Sequence, residues 1–226
     1  MDKRLRASAL IEHHGINILI DAGPDFRQQM LRAQVKSLEC ILLTHEHRDH
    51  VAGLDDVRAF NFLQNRPMDI WAEQRVQDAI KYEFSYVFAE NKYPGSPRMR
   101  LNTINGEPFQ INGIEVIPIR AYHAKMPIYG FRIGDLTYIT DASFIPEEEK
   151  EKIYGTKYLV INALRKEKHH SHFSLPEALS LVSEISPRRA YITHISHQMG
   201  LEQDLQRILP QNVIAAYDGL TIEIQI

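Results

Sequence analysis

The chain has 226 residues, of which 44% are hydrophobic and 24% charged, with a formal net charge of −3. That length supports one sizeable core or at most two small ones, and the slight acidity excludes bulk electrostatic attraction to nucleic acid. No apolar run approaches the ~18 residues of a membrane span, no signal-peptide core follows the charged start, and the single Cys40 permits no internal disulfide, which fits a reducing cytoplasm.

In chain order, residues 9–11 and 16–20 flank a polar Glu-His-His-Gly stretch and predict a hairpin. Residues 25–35 read as a helix entered after Pro24, and 39–43 as a short buried strand running into Thr44. Leu54, Val57 and Phe60 recur at helical spacing. Residues 73–90 predict the longest helix, with Val76, Ile80, Phe84, Val87 and Phe88 on one face, and 91–97 a loop. Residues 109–119, 129–133 and 136–140 predict strands, turning at Gly113 and at Gly134-Asp135, and 158–162 a further buried strand. Ser174-Leu175-Pro176-Glu177 has capping-box spacing with proline in the first turn, so a helix runs from there to about 185. Residues 189–193 predict a strand, 202–209 a helix and 213–225 two closing strands. This mixture predicts an α/β fold, sheets inside and helices outside, as one domain over residues 1–226.

Eleven histidines are many for this length, and histidine is the commonest metal ligand. The densest group is Thr44-His45-Glu46-His47-Arg48-Asp49-His50, where a predicted strand gives way to a helix. Such junctions are where ligands commonly bind. In an extended loop His45 and His47 project to one side and can reach one ion, while Asp49 and His50 can face a second. Four such groups in one segment would be costly to bury unpaired; the bland alternative is a solvated polar loop. Other strand ends deliver His123, Asp141 and His194, and His169-His170-Ser171-His172 precedes the Ser174 helix. Singly, each has a dull reading as a surface or core hydrogen-bonding residue. Together with the His45 group, they are expected to converge.

The segment His45-Glu46-His47-Arg48-Asp49-His50 resembles the HxHxDH signature of metallo-β-lactamase-fold hydrolases, and Asp21, His123, Asp141 and His194 fit the same pattern. Closer resemblance comes from residues 21–27 (Asp-Ala-Gly-Pro-Asp-Phe-Arg), His172-Phe173-Ser174, 193–197 (Thr-His-Ile-Ser-His) and Tyr217-Asp218-Gly219. These look like the PhnP-type branch, named for the phosphoribosyl cyclic phosphate phosphodiesterase of phosphonate breakdown and related to ribonuclease Z. The likeness spans essentially the whole chain.

The resemblance implies a four-layer αββα sandwich with a dinuclear centre. His45, His47 and His123 would bind one ion, Asp49, His50 and His194 the other, and Asp141 both, with a hydroxide between them. Two ions ~3.5–4 Å apart suit an in-line displacement at a phosphodiester. His172 would face the substrate and serve the departing alkoxide, as proton donor or charge stabiliser, and Asp49 is the second catalytic residue. Asp21 is expected to orient a ligand histidine. His169 and His170 read as surface residues, His13 and His14 as solvated, and His197 as near the ligands or the substrate. A ligand set of imidazole and carboxylate without thiolate accepts zinc, manganese or iron, and the branch favours zinc or manganese. There is one departure. Branch members usually begin with a strand, a Gly-rich loop and a cysteine-rich zinc segment, whereas this sequence starts where that segment ends. The structural zinc and first strand are therefore expected to be absent, leaving a sheet edge that invites pairing into a homodimer.

The expected substrate is a small cyclic or nucleotide-like phosphodiester, with Arg165 and Lys166 as candidates to hold its phosphate, although such a charge run is more often simply solvated. A tRNA 3′-processing endoribonuclease would need a basic arm, and residues 82–100 contain no Gly-rich basic arm. Nucleic acid is thus not the expected partner. Thioester or lactone hydrolysis uses the same metal core. A purely structural metal module is disfavoured, because such sites usually close with cysteine.

Overall fold

Two sheets, each with its own apolar core, organise residues 3–226, the residues that the computed structural model describes. They correspond to two compact units, Arg6–Asn105 and Gly106–Ile226, the latter joined by the described residues before Arg6.

The first unit holds β1 (Ala9–His13), β2 (Ile16–Ile20), β3 (Cys40–Leu42), β4 (Met68–Ala72) and β5 (Met99–Thr103), side by side in that order. β1 and β2 pair antiparallel with His13 opposite Ile16. The turn is therefore only His14-Gly15, both at positive φ (47° and 80°), as a two-residue hairpin of type I′ requires. Glu12 and His13, expected in the turn, extend the strand instead. β2 to β5 run parallel and are connected through α1 (Phe26–Arg32), α2 (Arg48–Val51), a 3₁₀ turn (Leu54–Val57), α3 (Arg58–Gln64), α4 (Gln74–Glu83) and α5 (Ser85–Phe88).

Sequence pattern missed β4 and β5. Pro67 and Asp69 argue against a central strand, yet Asp69 is satisfied by Arg100 and Asn102 of β5. The helix expected over 73–90 is broken at Phe84 (φ −103°, ψ 40°), which lets Phe84 and Val87 both enter the core.

The second unit holds β6 (Phe109–Ile111), β7 (Ile114–His123), β8 (Met126–Ile133), β9 (Leu136–Ile139), β10 (Tyr158–Asn162), β11 (Arg189–Thr193) and β12 (Val213–Ala215). Their spatial order is β12-β11-β10-β9-β8-β7-β6. Neighbours from β9 to β12 are parallel, and those from β6 to β9 antiparallel. The turn expected at Gly113 is present, so residues 109–119 form a hairpin folded at Asn112-Gly113 (φ 48° and 86°). The helices are α6 (Glu147–Lys150), α7 (Leu175–Ile185) and α8 (Glu202–Ile208). α7 opens on the expected capping box, with the Ser174 N–H donating to Glu177 Oε2 at 2.9 Å. Of the two closing strands expected, only β12 forms.

This topology places chemistry at strand ends. β2 and β3 are parallel, so Asp21 and Thr44 leave the first sheet at one edge. β9, β10 and β11 are parallel, and β7, two antiparallel steps from β9, points the same way. The segments bearing His123, Asp141, His169 to His172 and His194 therefore all leave one edge of the second sheet, the carboxyl-terminal edge favoured for binding in α/β sheets. No helix among the described residues is long and apolar enough to cross a membrane.

Candidate metal centre

In the first unit the site is built around Asp21, which is fully buried. Its carboxylate accepts from the Thr44 N–H at 2.9 Å and from the Thr44 hydroxyl at 2.9 Å. It also accepts from His50 Nδ1 at 2.7 Å. With the Thr44 proton directed to Asp21, Thr44 Oγ1 is left to accept from His45 Nδ1, 2.9 Å away. One carboxylate thus fixes both rings, directly for His50 and through Thr44 for His45. Each ring keeps its proton on Nδ1 and carries its lone pair on Nε2, the tautomer that a metal ligand needs. The contact expected between Asp21 and a histidine of the motif is present, and Thr44 is a relay that sequence pattern did not suggest.

The rings of His45 and His47 lie 4.7 Å apart, and those of His45 and His50 4.3 Å. One ligand atom each of His45 and His47, and one each of Asp49 and His50, come within 4.8 Å of each other. His47 is exposed, His45 and His50 buried. Glu46, the intervening residue of the motif, pairs with Arg75 of α4. Close backbone contact holds this loop against 21–23. Ala22 N–H donates to His50 O at 2.8 Å, and Gly53 N–H to Ala22 O at 2.9 Å. A Cβ on Gly23 would fall 2.1 Å from Asp49 O.

In the second unit Asp141 and His194 follow β9 and β11 with His194 Nε2 3.0 Å from Asp141 Oδ1. Thr140 Oγ1 donates to the same carboxylate oxygen at 2.8 Å. His123 Nδ1–H donates to Asp141 O at 2.9 Å, which again puts the ring's lone pair on Nε2. Buried Asn162 of β10 braces this turn, accepting from Ala142 N–H at 2.8 Å and donating to Ala142 O at 2.9 Å. His172 lies among the histidines, its ring 4.5 Å from His123, 5.1 Å from His194 and 5.3 Å from His169. His123, Asp141 and His172 each offer a ligand atom within 4.8 Å of the others. Burial pushes the His172 pKa down to about 3; the pull of Asp141 is outweighed once repulsion from His194, His123 and His169 is added. Its Nδ1 is buried without a hydrogen-bond partner among the described residues.

The donor sets fit divalent cations. They combine imidazoles whose second nitrogens are already engaged with carboxylates, and the buried Nδ1 of His172 has no hydrogen-bond partner among the described residues. Three of the residues involved also hold left-handed backbone despite having side chains: Asp21 (φ 63°), Asp141 (φ 60°) and His194 (φ 51°). Such conformations cost about 1–3 kcal/mol each and cluster at functional sites.

Other expectations need correction. His169, expected at the surface, is half-buried and in ring contact with His172. Arg165, a candidate phosphate holder, directs three of its five N–H donors to the protein, to Lys168 O at 2.8 Å and Glu167 O at 3.3 Å in its own loop and to Gln198 Oε1 at 3.2 Å in the turn after β11. Its near neighbour Lys166 is exposed. His14 and His170 are exposed, as expected, and so is His197.

The sequence matches the beta-lactamase superfamily domain over residues 16–195. It is 42% identical over 222 residues to the octanoyltransferase of Porphyromonas gingivalis, a match covering 97% of this chain and 45% of that protein. The chain spans about half the length of the curated relatives it matches first. Among solved structures, a diphosphatase from the PhnP family superposes with a TM-score of 0.91 at 32% identity, over 98% of this chain and 85% of that one. Human tRNase Z, short form, gives 0.73 at 21% identity over 98% and 93%, which shows the shared fold. With two helix-flanked sheets of the metallo-β-lactamase fold and a superfamily match across most of its length, the chain belongs to the beta-lactamase superfamily.

Proposed function

We propose that this chain is a metal-dependent hydrolase of the PhnP type that cleaves a small cyclic or nucleotide-like phosphodiester. The observation that carries this reading is the preparation of three imidazoles. His45, His50 and His123 each have Nδ1 engaged, by Thr44, Asp21 and the Asp141 carbonyl, and so offer Nε2. The 32% identity to the PhnP-family diphosphatase supports the branch. In this reading His45, His47 and His123 hold one divalent ion, Asp49, His50 and His194 a second, and Asp141 serves both. Zinc or manganese is preferred, and iron is accepted by the same donors. The chemistry such a pair supplies is activation of water and neutralisation of charge on phosphoryl oxygens. The protein's own part is to orient the ligands through Asp21 and Thr44 and to offer His172 as a hydrogen-bond donor to the leaving oxygen. Asp49 joins His172 as the second catalytic residue.

One further reading rests on the octanoyltransferase. Its name describes acyl transfer, and a thioester hydrolase would be related acyl chemistry on the same donors. More than half of that protein lies outside the match, so the diester reading is preferred. A panel of bis-p-nitrophenyl phosphate, a 2′,3′-cyclic nucleotide, a diphosphate ester, precursor tRNA and an octanoyl thioester separates the classes. The purified protein should carry about two metals per chain and hydrolyse the diesters. Full activity in His45→Ala or Asp141→Asn would dismiss the reading, and tRNA cleavage with steep salt dependence would replace it with a nuclease. His172→Ala should lower kcat by about 10²–10⁴-fold with metal retained; loss of metal would make His172 a ligand.

A further inference from the structure

Between β10 and α7 the chain makes a loop that the protein takes trouble to hold. Leu164 N–H donates to Phe173 O at 3.0 Å, Phe173 N–H to Ala142 O at 2.7 Å, and Leu175 N–H to Arg165 O at 2.8 Å. The Arg165 guanidinium fastens the Glu167 and Lys168 carbonyls from within. The ordered loop presents His169 beside His172.

The hydrogen bonds of His169 define its protonation pattern. Its Nδ1 accepts from the Ser171 N–H at 3.3 Å, with Ser171 Oγ also 3.3 Å away. Desolvation, with added repulsion from His170, Arg165 and His123, lowers its pKa below the ordinary histidine value. With Nδ1 accepting, the ring proton is on Nε2, and among the described residues Nε2–H makes no hydrogen bond. The same loop carries Arg165, Lys166 and Lys168 against a single Glu167, so it favours an anion.

Resting on the phosphodiester reading above, we propose that His169 is a substrate-binding residue whose Nε2–H donates to a phosphate oxygen. The role is recognition: the ring adds a directed donor beside His172, and Ser171 sets its tautomer. Arg165 contributes by fixing the loop, and the phosphate contact falls to the imidazole.

Two isosteres separate this from a structural role. Glutamine can place an N–H near the Nε2 position, whereas asparagine can place an acceptor near the Nδ1 position and keep only the Ser171 bond. With metal-loaded protein, inorganic phosphate is titrated calorimetrically, and KM and kcat are measured on bis-p-nitrophenyl phosphate. Loss of one hydrogen bond to a charged oxygen corresponds to about a 10- to 100-fold weakening. His169→Ala and His169→Asn should weaken phosphate binding and raise KM by that order, with a smaller change in kcat, while His169→Gln stays within about threefold of wild type. Rescue by asparagine but not glutamine, equal impairment in all three variants, or no impairment in any would overturn the proposal. Loss of metal in these variants, or a wild type that binds no phosphate, would do so too. A wild type that binds phosphate through His169 but cleaves no diester would refute the diester reading while leaving this one standing.

Discussion

Replacing Gly23 by alanine tests how the metal loop is held. The new Cβ would lie 2.1 Å from Asp49 O, 3.1 Å from the Asp49 carbonyl carbon and 3.3 Å from Arg6 Cβ. Ordinary contacts of this kind begin well above 3 Å, so the backbone at Asp49 must retreat by roughly 1 Å. It cannot do so freely, because the His50 carbonyl is bound by Ala22 N–H and the Gly53 N–H is bound to Ala22 O. A Cβ on Gly53 would likewise fall 2.1 Å from Gly23 O, so the two loops interlock from both sides. Overpacking of this kind costs about 1–3 kcal/mol. At roughly 2–4 °C per kcal/mol for a chain of this size, metal-free Gly23→Ala should melt about 2–12 °C below wild type. The functional loss should be larger, since a 1 Å misplacement can cost about 10²-fold in rate. Metal stoichiometry, kcat/KM and the metal-free melt are the three readouts. Gly15→Ala is the control. Its Cβ meets nothing within 4 Å, but its φ of 80° strains any side chain, so it should lose about 1 kcal/mol with metal and turnover intact. Gly23→Ala with wild-type metal content and turnover within twofold would show that the interlock does not position Asp49 and His50.

Asp21→Asn keeps shape but removes the charge that accepts from Thr44 and His50. Competition with a chelator should show metal affinity reduced by about 10- to 100-fold, and unchanged affinity would mean that His50 is aimed by packing alone. A stability prediction follows from Asp69. Burial alone would raise its pKa, but hydrogen bonds from Arg100 and Asn102 and the charges of Arg100 and Arg66 outweigh it and hold the carboxyl below the ordinary range. A carboxylate lowered in this way stabilises the fold above its unfolded value and loses that contribution as pH falls through the folded value. Asp69→Asn should therefore melt below wild type near neutrality, with the gap narrowing in melts run below about pH 4. A gap independent of pH would assign the loss to packing.

What could be read from the sequence was local. The His45 to His50 motif, the capping box at Ser174 and the strand over 158–162 depend on near neighbours and are found where expected. β4 could not be read, because the residues that make Asp69 tolerable are Arg100 and Asn102, about thirty positions away. The break at Phe84 was hidden for a similar reason: the apolar stripe continues through it, and only the core decides that Phe84 and Val87 are better buried without a continuous helix. Arg165 illustrates the opposite case. A cation near a histidine cluster invites a role with substrate, whereas three of its five N–H donors are directed to Glu167, Gln198 and Lys168.

The same limit explains why sequence pattern offered candidate site residues but not how they are aimed. Along a strand, side chains alternate between the two faces, so a ligand that continued β2, β9 or β11 would be delivered to one face or the other. Asp21, Asp141 and His194 instead leave strand geometry at once, with φ of 63°, 60° and 51°. Each does so just beyond a strand end at the carboxyl-terminal edge of its sheet, and the same device occurs in both units. Histidine and aspartate tolerate this conformation better than most residues, but nothing local requires it. Long-range bonds hold at least two of these turns: Asp21 N–H on Leu42 O at 2.9 Å, and the Asn162 bracket on Ala142 beside Asp141. Strain of about 1–3 kcal/mol per residue persists only where surrounding structure over-determines it. Its recurrence at three proposed metal-site positions is therefore independent physical support for their common purpose, beyond what the histidine motif itself provides.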